Sequence, residues 1–373
     1  MAQVGGSHGG SHGGSHGGSH GGSHGGSHGD PHANSVGSPL LSEALSITHD
    51  AIVGHWDGKP EPGDIGKPRD FNRLAYLSAE RRMQVMMTDI SCNFKVIKGR
   101  TSTRLLLGDG MICEITPPSQ DLLRDQLLYL RNYADLRADR VAEINIQCND
   151  IISFFGAQYH LNAQHREGTL ELLSVTQSLA IQLEMMVKHH CWLPRPIELS
   201  AKVQPIIQTP DHSTFPSGHS TEAFAIATVL HRLTTGAAAI DGLKRKAMPF
   251  RLAHRIAVNR TIAGVHFPVD SAAGAMLGCA IGDALHALHS REPSTSFTFG
   301  PNGYNLDARD GETISRDFTL QGLTTYAETL STDQSGAKET MLPNAHIFAD
   351  FWGDAGKEFT RIRPDGENTS EGR

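Results

Sequence analysis

Apolar residues recur at three- and four-residue steps through the middle of this chain, the spacing of helices that bury one face. The longest such run, DLLRDQLLYLRNYADLRADRVAEINIQCNDIISFF over 121–155, reads as one long helix or as two broken near Asp150. TLELLSVTQSLAIQLEMMVKHH over 169–190 predicts a second strong helix. A third runs from Ser217 to Leu233, and two more cover 246–262 and 268–289, separated around Pro268. The expected fold is mainly α, a bundle of at least five helices.

The pattern changes on both sides of this bundle. Upstream, residues 69–87 have helical spacing, and a short helical piece lies near LLSEALSI. NFKVIKG and RLLLGDGMICEI then read as strands, with Asp109-Gly110 as a hairpin signal. Pro117 and Pro118 end this small mixed region. Downstream of Arg291 the chain turns polar, with Gly and Pro clusters and a few aromatics such as Phe348, Phe351 and Trp352. The expected organisation is an arm over 1–37, a small mixed α/β region over 38–120, a helical core over 121–290, and an extension over 291–373 that packs on the core. Residues 5–28 are six copies of Gly-Gly-Ser-His with no apolar side chain to bury, so a disordered arm is expected there. Its histidines, His8 to His28 with His32 beyond, are of a kind that binds Ni, Cu or Zn loosely. A histidine-rich metal-binding protein is therefore the weakest of three readings.

Composition narrows the partners. A formal charge of −7 gives no support to nucleic-acid binding. No run of 18 or more apolar residues appears, and AAGAMLGCAIGDAL carries Asp283 and reads as a buried helix, so no membrane span is expected. Five scattered cysteines and no visible signal sequence point to the cytoplasm. The apolar face of 121–155 offers a surface for a homodimer.

The chemistry is concentrated in three segments. KHHCWLPRP holds Lys188 and Arg195, FPSGHSTEAF holds Ser217, Gly218 and His219, and NRTIAGVHFPVD holds Arg260, His266 and Asp270. Singly, each has a plain reading as a solvated charge, a helix cap or a core histidine. Together they supply three fixed cations, two histidines, a carboxylate and a helix mouth. Backbone N–H groups at a helix N-terminus have no partner inside the helix and attract anions, and Gly218 would let the backbone approach one closely. Arginine grips phosphate oxygens in a fork and lysine acts as a point charge. The inventory suits a tetrahedral oxyanion and transfer of its central group.

In order and spacing these segments resemble the signature of the type 2 phosphatidic acid phosphatase (PAP2) and vanadium haloperoxidase superfamily, K-x6-R-P, P-S-G-H and S-R-x5-H-x3-D, with Asn259 where the family has Ser. The resemblance covers roughly residues 120–290. It implies a helical bundle of that type with the site at one end. It implies that Lys188, Arg195, Arg260, Ser217 and the Gly218 N–H bind phosphate or vanadate, with Asn259 as an accessory. His266 would be the nucleophile forming a phosphohistidine, Asp270 its orienting partner, and His219 the acid and base. The expected activity is a PAP2-type acid phosphatase acting on a soluble phosphomonoester without a metal. The alternative is a bromoperoxidase-like enzyme using hydrogen peroxide and halide, in which vanadate is the cofactor and His266 ligates vanadium. His212, seven residues before His219, favours that alternative, because vanadium bromoperoxidases carry a histidine there.

Overall fold

The computed structural model describes residues 39–59, 73–292, 296–300, 317–331 and 342–359. The Gly-Gly-Ser-His arm and the start of the helix expected from residue 69 lie outside them. The chain forms two compact units, 1–78 and 79–373. The first contains α1, Pro39–Ile52, and a 3-10 turn, Arg73–Tyr76.

The second unit is mainly α, with a small sheet. It opens with α2, Ala79–Ser91, so the helical spacing over 69–87 is divided between a 3-10 turn and a helix. The strands β1 (Phe94–Lys98), β2 (Thr103–Leu107) and β3 (Gly110–Ile115) form an antiparallel meander. Its second turn is Gly108-Asp109, one residue earlier than the sequence signal, and Gly108 takes the left-handed φ of 59° that such a turn needs. The sheet is completed by β4, Phe297–Phe299, which pairs in parallel with β3 from beyond the helical core. A three-residue strand is too short to show a period of two in the sequence.

The run over 121–155 is divided further than its periodicity suggests. It becomes α3 (Gln120–Tyr133), a 3-10 turn (Ala134–Leu136), α4 (Arg137–Gln147) and α5 (Ile152–Tyr159). The break near Asp150 is present, and a second lies at Ala134. Then follow α6 (Glu167–Cys191), the short α7 (Pro196–Leu199), α8 (Gly218–Thr235), α9 (Ala239–Lys244), α10 (Met248–Ala263) and α11 (Pro268–Ser290). Two helices of the extension, α12 (Leu320–Ser331) and α13 (His346–Lys357), pack onto this core.

The centre of the core is α8 against α11. Every residue from Pro268 to Leu285 is buried. By length and composition α11 could cross a membrane, yet 94% of its most apolar window is buried inside the protein. Asp283, within this helix, accepts from Arg232 Nε at 2.8 Å and from the Ala239 N–H at 3.2 Å. The helices approach closely because Gly274, Gly278 and Gly282 lie one turn apart on the face toward α8. A Cβ at these positions would stand 2.4 Å from Ser217 O, 2.3 Å from Thr221 O and 2.5 Å from Thr228 Cβ. Two of those contacts are rigid backbone, so Gly278→Ala should lower unfolding stability by about 1–3 kcal/mol, read as a lower denaturation midpoint. An unchanged midpoint would mean that the α8–α11 distance is not set by this row.

Candidate active site

Four breaks in the helical pattern bring the motif residues together. Helix α6 ends at Cys191, where Trp192 takes a left-handed φ of 31°, and Lys188 lies in its last turn. Arg195 caps α7, with Pro196 at its first position. Ser217 caps α8 without making the usual side-chain capping bond. Gly264, at φ 84°, stops α10 just after Arg260, and Pro268 restarts the chain as α11. His266 therefore lies in a short linker between the helix that carries Arg260 and the helix that carries Asp270.

The hydrogen bonds of His266 define its tautomer. Arg195 Nη1 lies 3.1 Å from His266 Nε2, and an arginine N–H can only donate, so Nε2 accepts. The hydrogen is then on Nδ1, which faces Asp270 Oδ2 at 3.1 Å. Burial, then the nearby Arg195 and Lys188 charges, hold the His266 pKa well below the usual range, so the ring is neutral with its lone pair on Nε2. That is the form a nucleophile needs. Asp270 Oδ2 also accepts from the Phe267 N–H at 2.8 Å and from Thr214 Oγ1 at 2.6 Å. Burial nonetheless pushes the Asp270 carboxyl up to about 7.

The cations are buried as well. Lys188 is fully enclosed and donates to Ser213 O at 3.4 Å and to Pro216 O. Burial pulls its ammonium down to about 8, although Glu184 opposes the shift. Arg195 donates to His212 O at 3.0 Å, Val265 O at 2.9 Å and His212 Nδ1 at 3.1 Å, and burial lowers its pKa to about 10. Arg260 reaches Ile144 O at 3.2 Å and Cys148 Sγ at 3.6 Å, and burial lowers its pKa too. Each cation is thus held where a counter-anion would stabilise it. Two donors point to the same need, because Ser217 Oγ and Arg260 Nε are buried and lack a hydrogen-bond partner. Buried polar groups are normally satisfied, and a tetrahedral oxyanion is a partner suited to both.

His219, in the first turn of α8, has Nε2 2.9 Å from Gln147 O. His212 reaches the site through Arg195 Nη2. Burial first, then the cations, push its pKa down to about 4, so it is neutral. Asn259 is engaged elsewhere. Its Nδ2 donates to Gln147 Oε1 at 2.9 Å and Glu143 Oε2 at 3.1 Å, and its Oδ1 accepts from Arg140 at 3.1 Å. With α4 lying along α10, these bonds make Asn259 a tie between the two helices.

Gly218 also has a role the sequence reading did not foresee. A Cβ on it would stand 2.4 Å from Glu184 Oε1, so the missing side chain makes room for a buried carboxyl. Glu184 lies one turn before Lys188 on α6, and burial raises its pKa well above the carboxylate range. Its signal in the sequence is a charged residue on the buried stripe of α6, four residues before Lys188. Thr214 was missed as well. Its only signal is a hydroxyl two residues before the P-S-G-H segment.

The fold and site define a helical-bundle protein with a buried cationic cage beside a neutral histidine and its carboxylate partner. The PAP2 superfamily model matches residues 170–293, which span all three motif segments. Among curated proteins the chain is similar to decaprenylphosphoryl-5-phosphoribose phosphatase of Mycobacterium tuberculosis, from strains CDC 1551 / Oshkosh and H37Rv. The identity to each is 31% over 114 residues, covering 31% of this chain and 55% of the relative. The chain thus spans about half the length of the curated relatives it matches.

Proposed function

We propose that this chain is a phosphatase that hydrolyses phosphomonoesters through a phosphohistidine on His266. The observation that carries the reading is a neutral, Asp270-bound imidazole whose Nε2 lone pair meets the buried Arg195 guanidinium, with buried Lys188 also acting on the ring. An incoming phosphate would take the Arg195 Nη1 hydrogen in place of His266 Nε2, which frees the lone pair. Nε2 then attacks phosphorus, an N–P bond forms, and the P–O bond to the leaving alcohol breaks as His219 donates its proton. Water next attacks the phosphohistidine while His219 takes a proton from it, and the N–P bond breaks to release phosphate. Lys188, Arg195, Arg260 and the α8 N-terminus stabilise charge on the equatorial oxygens. The ester is of a soluble alcohol in the simplest case. The name of the mycobacterial relatives makes a phosphorylated pentose the ester to test beside an aryl phosphate.

The contact of His212 with Arg195 favours one second reading. The unpartnered Ser217 Oγ and Arg260 Nε suit vanadate as they suit phosphate, and His266 Nε2 is the available ligand. Bound vanadate would supply activation of hydrogen peroxide toward halide, and His212 would tune the donors of Arg195. A paired assay separates the two. One half measures aryl phosphate hydrolysis with and without vanadate, and the other measures vanadate-dependent bromination with peroxide and bromide. Hydrolysis inhibited by vanadate, without bromination, is the expected result. Bromination with negligible hydrolysis would overturn it.

The same groups set the expected pH profile. Asp270 must be ionised, and its pKa is about 7, so kcat/KM should rise as pH increases through that region. Lys188 must be charged, and its pKa is about 8, so anion binding should weaken above it. The expected profile of kcat/KM is a narrow bell between these limits. A flat profile from pH 6 to 9 would contradict both assignments.

A further inference from the structure

We propose that Thr214 is a positioning residue for this reaction, its hydroxyl locking Asp270 onto His266 and tying that pair to the segment 212–217 that Lys188 and Arg195 also hold. The inference rests on the phosphatase reading for its kinetic test and on geometry for its origin. Thr214 Oγ1 donates to Asp270 Oδ2 at 2.6 Å and lies 3.3 Å from His266 Nδ1. Its hydrogen is committed to the carboxylate, because ionised Asp270 can only accept. Its oxygen is then a second, weaker acceptor for the His266 Nδ1–H. A single hydroxyl thus touches both members of the pair. Asp270 Oδ2 gathers three donors, from Thr214, Phe267 and His266, while Oδ1 is buried without a partner. The orientation of the carboxylate therefore depends on what holds Oδ2.

Thr214 is itself held from the cage side. Its N–H donates to Leu193 O at 3.1 Å, in the link between Lys188 and Arg195. Two residues further on, Lys188 donates to Pro216 O, and Arg195 Nε donates to His212 O on the other side. The Ser217 N–H closes the arrangement by donating to the Asp270 main-chain O at 2.9 Å. The segment thus grips Asp270 at both its carboxylate and its carbonyl. Lys188 from α6 and Arg195 from the start of α7 act on Asp270 by charge, and the neighbouring titratable group is His266, in hydrogen-bond contact with it. Among the influences that favour ionised Asp270, the Thr214 hydrogen bond is the largest, ahead of the Phe267 N–H and of either cation.

The test compares Thr214→Val, which keeps the shape and loses the hydroxyl, with Thr214→Ser, which keeps the hydroxyl. Hydrogen bonds to charged groups are among the stronger ones, so Thr214→Val should lower kcat by about 10–100-fold. KM should stay within about threefold, because no donor to the anion is removed. The acid limb of the kcat/KM profile should move to higher pH, since the ionised form of Asp270 loses its strongest support. Thr214→Ser should restore both. Thr214→Ala, which adds no bulk, carries the same expectation if the valine variant does not fold. Wild-type kcat and acid limb in a variant without the hydroxyl, or a serine variant as impaired as valine, would overturn the proposal. A second readout is independent of turnover. The proton resonance of the His266 Nδ1–H, assigned by its loss in His266→Ala, should shift in Thr214→Val and not in Thr214→Ser. If the wild type hydrolyses no ester, the phosphatase reading falls while this resonance still tests the positioning, and an unshifted resonance in the valine variant overturns it.

Discussion

His266→Ala is expected to lower hydrolysis of an aryl phosphate by roughly 10⁴-fold or more, while phosphate still binds as a competitive ligand. The direction follows from the division of labour in the site. In the proposed mechanism His266 supplies the lone pair, and the oxyanion would be held by Lys188, Arg195, Arg260 and the mouth of α8. Removing the ring takes one acceptor from Arg195 Nη1 but leaves its bonds to Val265 O and to His212. The cage should therefore keep its shape. Water inside an intact cage still meets a polarised phosphorus, so a small residual rate is expected rather than none. The check is kcat against the inhibition constant for inorganic phosphate. Wild-type turnover in this variant would remove His266 from the mechanism. Loss of phosphate binding in step with turnover would make it a structural residue.

Asp270→Asn should slow kcat by roughly 10³–10⁴-fold with little change in phosphate affinity. Oδ2 is the acceptor for three donors, so the asparagine must place its oxygen there or leave the Thr214, Phe267 and His266 hydrogens facing an NH2 group. With the oxygen in place, the NH2 group occupies the position of Oδ1, which is buried and has no partner. In either orientation the negative charge is lost. His266 then loses the group that fixes its tautomer and that, in the proposed mechanism, would stabilise positive charge as the N–P bond forms. The separation of kcat from binding is the measurement that matters. Equal losses in the two would show that Asp270 only supports the fold, through the Phe267 cap and the Ser217 contact.

Much of this site is legible in the sequence because it rests on fixed spacings at helix ends. Arg260 and His266 are six residues apart, and the interval holds the left-handed Gly264 that ends α10. His266 and Asp270 are four residues apart across Pro268, and this spacing lets Asp270 both cap α11 and meet the imidazole. Pro196 and Pro268 mark the helix starts at the site as strongly in the chain as in the fold. The long helices α6, α8, α10 and α11 were equally plain.

What was not legible depends on partners distant in sequence. Asn259 stands at a motif position, yet its amide is taken by Glu143 and Gln147, more than a hundred residues earlier, because α4 lies beside α10. The reason Gly218 is glycine is a carboxyl on another helix, Glu184. Thr214 acts through Asp270, 56 residues further on. The second break of the 121–155 run, at Ala134, is not marked by glycine or proline, and apolar periodicity continues through it. β4 pairs with a strand nearly two hundred residues earlier and is too short to announce itself.

The most direct test of the central claim is to trap the covalent state. The full chain is mixed with an excess of aryl phosphate and quenched in alkali within one turnover, because phosphohistidine survives base and is lost in acid. Peptides are then mapped by mass spectrometry. Phosphate is expected on the peptide containing His266, absent in His266→Ala and accumulating in variants that slow the attack of water. Full turnover with no phosphorylated histidine at any quench time, or with phosphate on a different residue, would contradict it.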